Sequence, residues 1–218
     1  MQLREKSYMI QKLVPRGGQV IGITGNICSG KSFALKYLNK RGFKTISMDS
    51  LVHKAMREDN HIIQKISEVF PQALKDRNIC RISLGNIVFN NRLMIKKLES
   101  IIHPYTRNKI KYLSEMTRYR KSRSIVIESP LLFEKKREKY FDFIICLFSS
   151  QEIMLKRALS RKNMNKEKFC AILNNQMTLE KKIHKADYLI CNHNRFHVFQ
   201  SLNKIIINDR FKRNCSRY

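Results

Sequence analysis

Apolar residues recur along this chain in two rhythms, one suited to buried strands and one to helices. Gln19 to Thr24, QVIGIT, is almost continuously apolar, as expected of a strand covered on both faces. Lys31 to Lys40, KSFALKYLNK, then places apolar residues at 33, 34, 37 and 38 and stops at Arg41-Gly42, which predicts a helix with a glycine end. Phe43 to Ser47, FKTIS, reads as a second short strand. Strand, loop, helix and strand in that order form the βαβ unit from which parallel sheets are built.

From about Asp49 to Arg120 the spacing is helical and no strand pattern appears. HIIQKISEVF, LGNIVFNNRLMIKKLESII and HPYTRNKIKYLSEMTRY together predict a helical insertion. Strands return at Ser124 to Glu128, at 141–148 (FDFIICLF) and at 188–191 (YLIC), with helical spacing between and after them. The expected fold is α/β, a doubly wound sheet of about five parallel strands with a helical subdomain on one side. The longest apolar run is FDFIICLF, far short of the roughly eighteen residues that a membrane-spanning helix needs.

Composition narrows the class of partner. A chain of 218 residues is one domain, or one domain carrying an insertion. Its 44 Lys and Arg against 17 Asp and Glu give a net charge of +27, which points to anionic partners, either phosphates or nucleic acid. Ile and Asn are abundant beside Lys, so a drift in composition accounts for part of that charge. The cysteines, at 28, 80, 146, 170, 191 and 215, form no CxxC pair and show no metal spacing with histidine. Reduced thiols and no signal peptide suit a cytoplasmic protein. Residues 1–18 read as a basic extension ahead of a single domain over 19–210.

Chemistry enters at Gly25-Asn26-Ile27-Cys28-Ser29-Gly30-Lys31-Ser32, which matches G-x-x-x-x-G-K-[ST] between a predicted strand and a predicted helix. Glycines let successive backbone N–H groups converge on phosphate oxygens, the helix N-terminus adds its dipole, Lys31 reaches the β- and γ-phosphates, and the Ser32 hydroxyl ligates Mg²⁺. Chance would produce such a match in a chain of this length on the order of one time in a hundred. The loop alone does not separate GTPases, ATPases, helicases and small-molecule kinases. Asp49, just beyond the second strand, is either the N-cap of a helix or a general base close to the γ-phosphate. Glu128 ends an apolar strand, where a carboxylate can hold a Mg²⁺ hydration shell. Arg157 and Arg161, four residues apart, are expected on one helix face, which either is solvated or closes over phosphates. Cys28, beside a helix N-terminus and Lys31, is expected to have a lowered thiol pKa.

IGITGNICSGKS, MDSLVHKAM, IIHPYTR, ESPLLFE and LKRALSRKNMNKEKFCAILNNQMTLEKKIHKADYLICN follow one another as in dephospho-CoA kinases, and the chain resembles that family from about Val20 to Asn208. The resemblance implies a three-layer P-loop kinase fold with a helical CoA-binding insertion at about 59–120 and a helical lid at about 155–175. It implies transfer of the γ-phosphate of ATP to the ribose 3′-hydroxyl of dephospho-CoA, with Mg²⁺ as cofactor. Position by position, Asn26 to Phe33 hold the nucleotide, Asp49 is the base assisted by Lys31 and Arg157, and Ser32 and Glu128 serve the metal. His103, Arg107 and Arg161 fall on the substrate and lid side, and Gln176 and residues 191–194 fall where the family closes its adenine pocket. The chain departs from the family at Ser47, where an acid is usual, at Glu128, where Asp is commoner, and at Cys28, where a small residue is usual. A monomer or small homo-oligomer, no membrane association and no specific nucleic acid complete the expectation. The rivals are a P-loop kinase of another nucleoside or nucleotide and a nucleic-acid-binding P-loop protein.

Overall fold

The computed structural model describes residues 18–88, 91–120, 124–162 and 164–214, without the side chains of 206–214, so Cys215 and all but the last residue of the basic extension lie outside it. Five strands, β1 (Val20–Thr24), β2 (Lys44–Ser47), β5 (Ile125–Glu128), β6 (Phe143–Phe148) and β7 (Tyr188–Cys191), form one parallel sheet in the order β2-β5-β1-β6-β7. The helices are α1 (Lys31–Lys40), α2 (Met48–Glu58), α3 (Asn60–Val69), α4 (Arg81–Val88), α5 (Arg92–Tyr119), α6 (Gln151–Leu159), α7 (Lys166–Asn174), α8 (Leu179–Lys185) and α9 (Arg195–Asn214).

Alternation along the strands divides the core in two. Ile21, Ile23, Val126, Ile145 and Leu147 face Ala34, Tyr37 and Leu38 of α1 and Val198 and Leu202 of α9. Val20, Ile125, Ile127 and Ile144 face the other way, onto Met48, Ile110, Leu132 and Phe133. Each such side chain, fully buried, contributes about 1.5–3 kcal/mol. The insertion has its own core of Ala55, Met56, Ile62, Ile66, Phe70, Ala73, Ile79 and Leu84, and a fourth cluster joins Ile27 and Cys28 to Met154, Ala158 and Phe169.

Three local expectations need correction. The insertion is not purely helical, because β3 (Leu74–Lys75) and β4 (Asn78–Ile79) pair as a small antiparallel hairpin. Its turn residues Asp76 and Arg77 have φ of 47° and 62°, the left-handed pair of a type I′ turn, made without glycine. Secondly, the segments before and after His103-Pro104 are one helix, α5, of 28 residues with Pro104 inside it. Proline removes one ladder bond there, but Thr106, Ile110, Ser114 and Thr117 form a buried stripe, and packing of that face outweighs the lost bond. Asn91 caps this helix, its Oδ1 accepting from the N–H of Leu93 (3.1 Å) and Met94 (3.2 Å). Thirdly, α6 stops at Leu159 with Ser160 as its C-cap, so Arg161 lies beyond the helix and does not share a helix face with Arg157.

Candidate active site

The carboxyl ends of the parallel strands, where such sheets bind ligands, converge on the loop between β1 and α1. Gly25 has φ 144°, and a Cβ there would lie 2.1 Å from the carbonyl oxygen of Leu147. Gly30 has φ 102°, and a Cβ there would lie 1.9 Å from Nδ2 of Asn192. Both glycines are thus required by conformation and by space. Cys28 holds φ 59° despite its side chain, and it is buried.

Asn192 backs this loop from the far end of β7. Its Nδ2 donates to the carbonyl of Ser29 at 2.8 Å, and its own N–H donates to Phe148 O at 2.7 Å. Arg157 completes the brace by donating to Asn192 O (3.0 Å), Asn192 Oδ1 (3.3 Å) and Cys28 O (3.4 Å). On the other side, Gln176 Oε1 accepts from the N–H of Ile27 at 2.9 Å, so its side chain contacts the loop itself. Asn26 Oδ1 and Ser29 Oγ are buried with no hydrogen-bond partner among the described residues.

Lys31 is buried and turned into the loop, donating to Gly25 O (3.1 Å) and Asn26 O (2.9 Å). Burial, foremost, pushes its ammonium pKa down; Glu128 and Asp49 pull it up, and Lys182 adds to the lowering. Lys31, Glu128 and Asp49 are therefore close enough to act on one another electrostatically. Glu128 is buried at the end of β5, in register with Ile23 on one side and Ser47 on the other. Asp49 is not the helix cap. That place belongs to Ser47, whose Oγ accepts from Ser50 N–H at 3.5 Å, while Asp49 lies exposed in the first turn of α2. Ser32 is exposed at the start of α1, and Phe33 packs on the core with Arg195 above its ring at 5.8 Å.

The Cys28 thiol contradicts expectation: burial pushes its pKa up, and Arg161, Lys31 and Arg157 only partly offset this. The helix-side cations do not win because the Sγ group is enclosed by the cluster around Met154 and Phe169.

A cavity of about 150 Å³ opens beside Asp49, lined by His53, His103, Thr106, Lys135 and Arg137 among others. His103 Nε2 lies 3.7 Å from Glu99 Oε1; burial, and then Lys135, lower its pKa. Arg107 is exposed and does not line this cavity. A larger cleft of about 470 Å³ lies between α3 and α5, bordered by His61, Lys65, Tyr105, Lys109 and Tyr112.

Sequence reasoning missed a buried ion pair beneath the site. Lys182 Nζ, on a side chain with 0% exposure, lies 2.9 Å from Glu134 Oε1 and donates to Pro130 O at 3.4 Å. Glu134 Oε1 also accepts from Met177 N–H at 2.8 Å, next to Gln176. A lysine in a run of lysines carries no local sign of burial; only the acid in PLLFE hinted at a partner. Among the described residues no cluster of three or more His, Cys, Asp or Glu side chains is poised to hold a metal ion.

The family model described as dephospho-CoA kinase matches residues 19–197. Dephospho-CoA kinase of Bartonella quintana is 35% identical over 172 residues, covering 79% of this chain and 88% of its own. The crystal structure of TT1252 from Thermus thermophilus superposes with a TM-score of 0.72 at 27% identity, covering 87% of this chain and 96% of that one. Dephospho-CoA kinase from Campylobacter jejuni gives a TM-score of 0.57 at 30% identity over 86% of this chain and 97% of its own.

Proposed function

The chain belongs to the dephospho-CoA kinase family, and on that premise we propose that it transfers the γ-phosphoryl group of ATP to the ribose 3′-hydroxyl of dephospho-CoA, giving CoA and ADP. The observation that carries this reading is the placement of Lys31, Glu128 and Asp49 at one sheet edge, beside a cavity that Lys135 and Arg137 also line.

Phosphoryl transfer asks little covalent work of a protein, so positioning and charge neutralisation dominate. The backbone N–H groups from Asn26 to Phe33 cradle the triphosphate, and Lys31 leaves the carbonyls of Gly25 and Asn26 to meet phosphate oxygens. Asp49, exposed to the cavity and accepting no hydrogen bond from any described residue, aims the acceptor hydroxyl and takes its proton. Arg157, fixed against Cys28 O, and Arg161, exposed beyond α6, place positive charge at the mouth of the loop. His103 lines the acceptor cavity and Arg107 lies close outside it; residues 59–120 receive the rest of the acceptor, and residues 155–175 form the lid.

A divalent ion fits this set of groups: the exposed Ser32 hydroxyl and the Glu128 carboxylate, which accepts no hydrogen bond from any described residue, are hard oxygen donors suited to Mg²⁺. When bound, Mg²⁺ neutralises charge on the transferring phosphates. Ser32 would hold it directly and Glu128 through its water shell. No described helix is long and apolar enough to cross a membrane; that the enzyme is cytoplasmic, and a monomer or small homo-oligomer, is part of the proposal. The test is an ADP-release assay offering dephospho-CoA, adenosine, cytidine monophosphate and single-stranded RNA in turn. Turnover with dephospho-CoA alone is expected; turnover only with another acceptor, or stimulated by RNA, would overturn the reading.

A further inference from the structure

Arg137 has no role in the chemistry above, yet it is one of the most unusual residues in the molecule. It follows Lys136, whose φ of 50° turns the chain after PLLFE back towards α5, and only 5% of Arg137 remains exposed. Its Nη2 donates to Thr106 Oγ1 at 2.6 Å and reaches His103 O at 3.5 Å. Both acceptors are neutral. Among the described residues no carboxylate forms an ion pair with it, whereas neighbouring Lys135 has Glu99 at 3.3 Å. Burial above all pushes the guanidinium pKa down; Tyr140 opposes this and Arg107 adds to it.

A guanidinium withdrawn from water without a counter-ion is costly, and proteins keep such an arrangement where an anion arrives to complete it. Arg137 borders the same 150 Å³ cavity as Asp49, with Lys135, His53 and His103 around it. The charged and titratable groups lining that space are Asp49 and His53 from α2, His103 from α5, and Lys135 and Arg137 from the segment after β5. Glu99 is engaged by Lys135 and His103, which leaves Asp49 as the acid facing Arg137 across the cavity.

We infer that Arg137 is the anion-recognition residue of the acceptor site, binding the 5′-linked phosphate of the nucleotide whose 3′-hydroxyl Asp49 aims. This deepens the proposed function and rests on it. The chemistry is economical: the 5′-phosphate and the 3′-hydroxyl sit on one ribose, so a cation fixed in the same cavity as the base sets the sugar's orientation. The planar fork of arginine suits two oxygens of a phosphate, and its anchoring to Thr106 presents the remaining N–H groups preformed. Acceptors lacking that phosphate lose both the contact and the alignment.

The test uses the full-length enzyme with its loop saturated by ADP and Mg²⁺, so that added nucleotides compete only for the acceptor site. Displacement of dephospho-CoA is measured with 5′-AMP and with adenosine, for the wild type and for Arg137→Met and Arg137→Lys. In the wild type AMP should displace at about tenfold lower concentration than adenosine or better, the worth of a charge-assisted hydrogen bond in a sheltered site. Arg137→Met should bring that ratio close to one, and Arg137→Lys should keep most of it. A purely structural Arg137 would lower the melting temperature of Arg137→Met without moving the ratio, and that result overturns the inference. If Arg137→Met fails to fold, equal displacement by AMP and adenosine in the wild type overturns it on its own. A wild type that turns over no dephospho-CoA defeats the proposed function instead, so the two failures are distinct.

Discussion

The pair Lys182–Glu134 allows a sharp test of what ties α8 to the segment that follows β5. Lys182→Met keeps the length and apolar stem of the side chain but removes the ammonium 2.9 Å from Glu134 Oε1. Glu134 is itself largely enclosed, its side chain 13% exposed, and its Oε2 has no hydrogen-bond partner among the described residues. Stranding a buried charge in this way costs about 3–5 kcal/mol. For a domain of this size, each kcal/mol moves the melting temperature by about 2–4 °C, so a fall of roughly 6–20 °C is expected. Glu134→Gln retains an acceptor for Met177 N–H but removes the negative charge beside Lys182, whose buried ammonium is left with neutral acceptors only. Combining the two substitutions removes both charges, and the double variant should be more stable than the sum of the single effects by about 2–3 kcal/mol. Urea titration of the four proteins measures this directly, since the midpoint shifts while the slope stays fixed. Because Met177 adjoins Gln176, and Gln176 contacts Ile27, the single variants should also raise the KM for ATP. Single losses under about 1 kcal/mol, or strictly additive ones, would refute the reasoning.

Further outcomes follow from the same geometry. Asp49→Asn should lower kcat by about 10²–10⁴ while leaving ATP affinity within a few-fold, as steady-state kinetics and nucleotide titration will show; near-normal turnover would remove Asp49 as the base. Because burial raises the Cys28 thiol above its ordinary 9.0, iodoacetamide should modify it more slowly than free cysteine at neutral pH and faster as pH rises past that value. Mass spectrometry of the labelled peptide over time checks this. His53 and His103 both have pKa values below the ordinary 6.5, so on the acid side the unfolded chain binds more protons than the folded one. Stability should therefore decline as pH falls through that value, and His53→Asn with His103→Asn should flatten the decline in urea midpoints.

Much of the fold could be read from the chain because parallel strands buried on both faces leave nearly unbroken apolar runs, as in VIGIT and FIICLF. The phosphate loop was equally visible, since Gly25 and Gly30 occupy positions that tolerate neither a Cβ nor ordinary backbone angles. What escaped was set by distance or by weak local preference. The end of α6 at Leu159 has no glycine or proline to mark it, so Arg157 and Arg161 looked like neighbours on one face. The hairpin at Asp76-Arg77 has only two residues in each strand, too few for an alternation to register. Cys28 misled because proximity to Lys31 can be seen in sequence, whereas enclosure by Phe169 and Met154 depends on residues more than a hundred positions away. Residues 191–194 were expected at the adenine pocket, but the contact of Asn192 with Ser29 spans 163 positions and leaves no local sign; Arg137 was overlooked because its partner Thr106 lies on another element, 31 positions away.

Asn192 also bears on how the enzyme matures. The cradle formed by residues 25–32 takes its rear wall from a side chain just beyond β7, 163 positions downstream of Ser29. During synthesis the loop emerges early, but its support does not exist until β7 has left the ribosome and docked. Nascent chains cut short before Asn192 should therefore expose a nucleotide-binding loop that cannot hold its shape, and competence to grip nucleotide should appear only once β7 has docked.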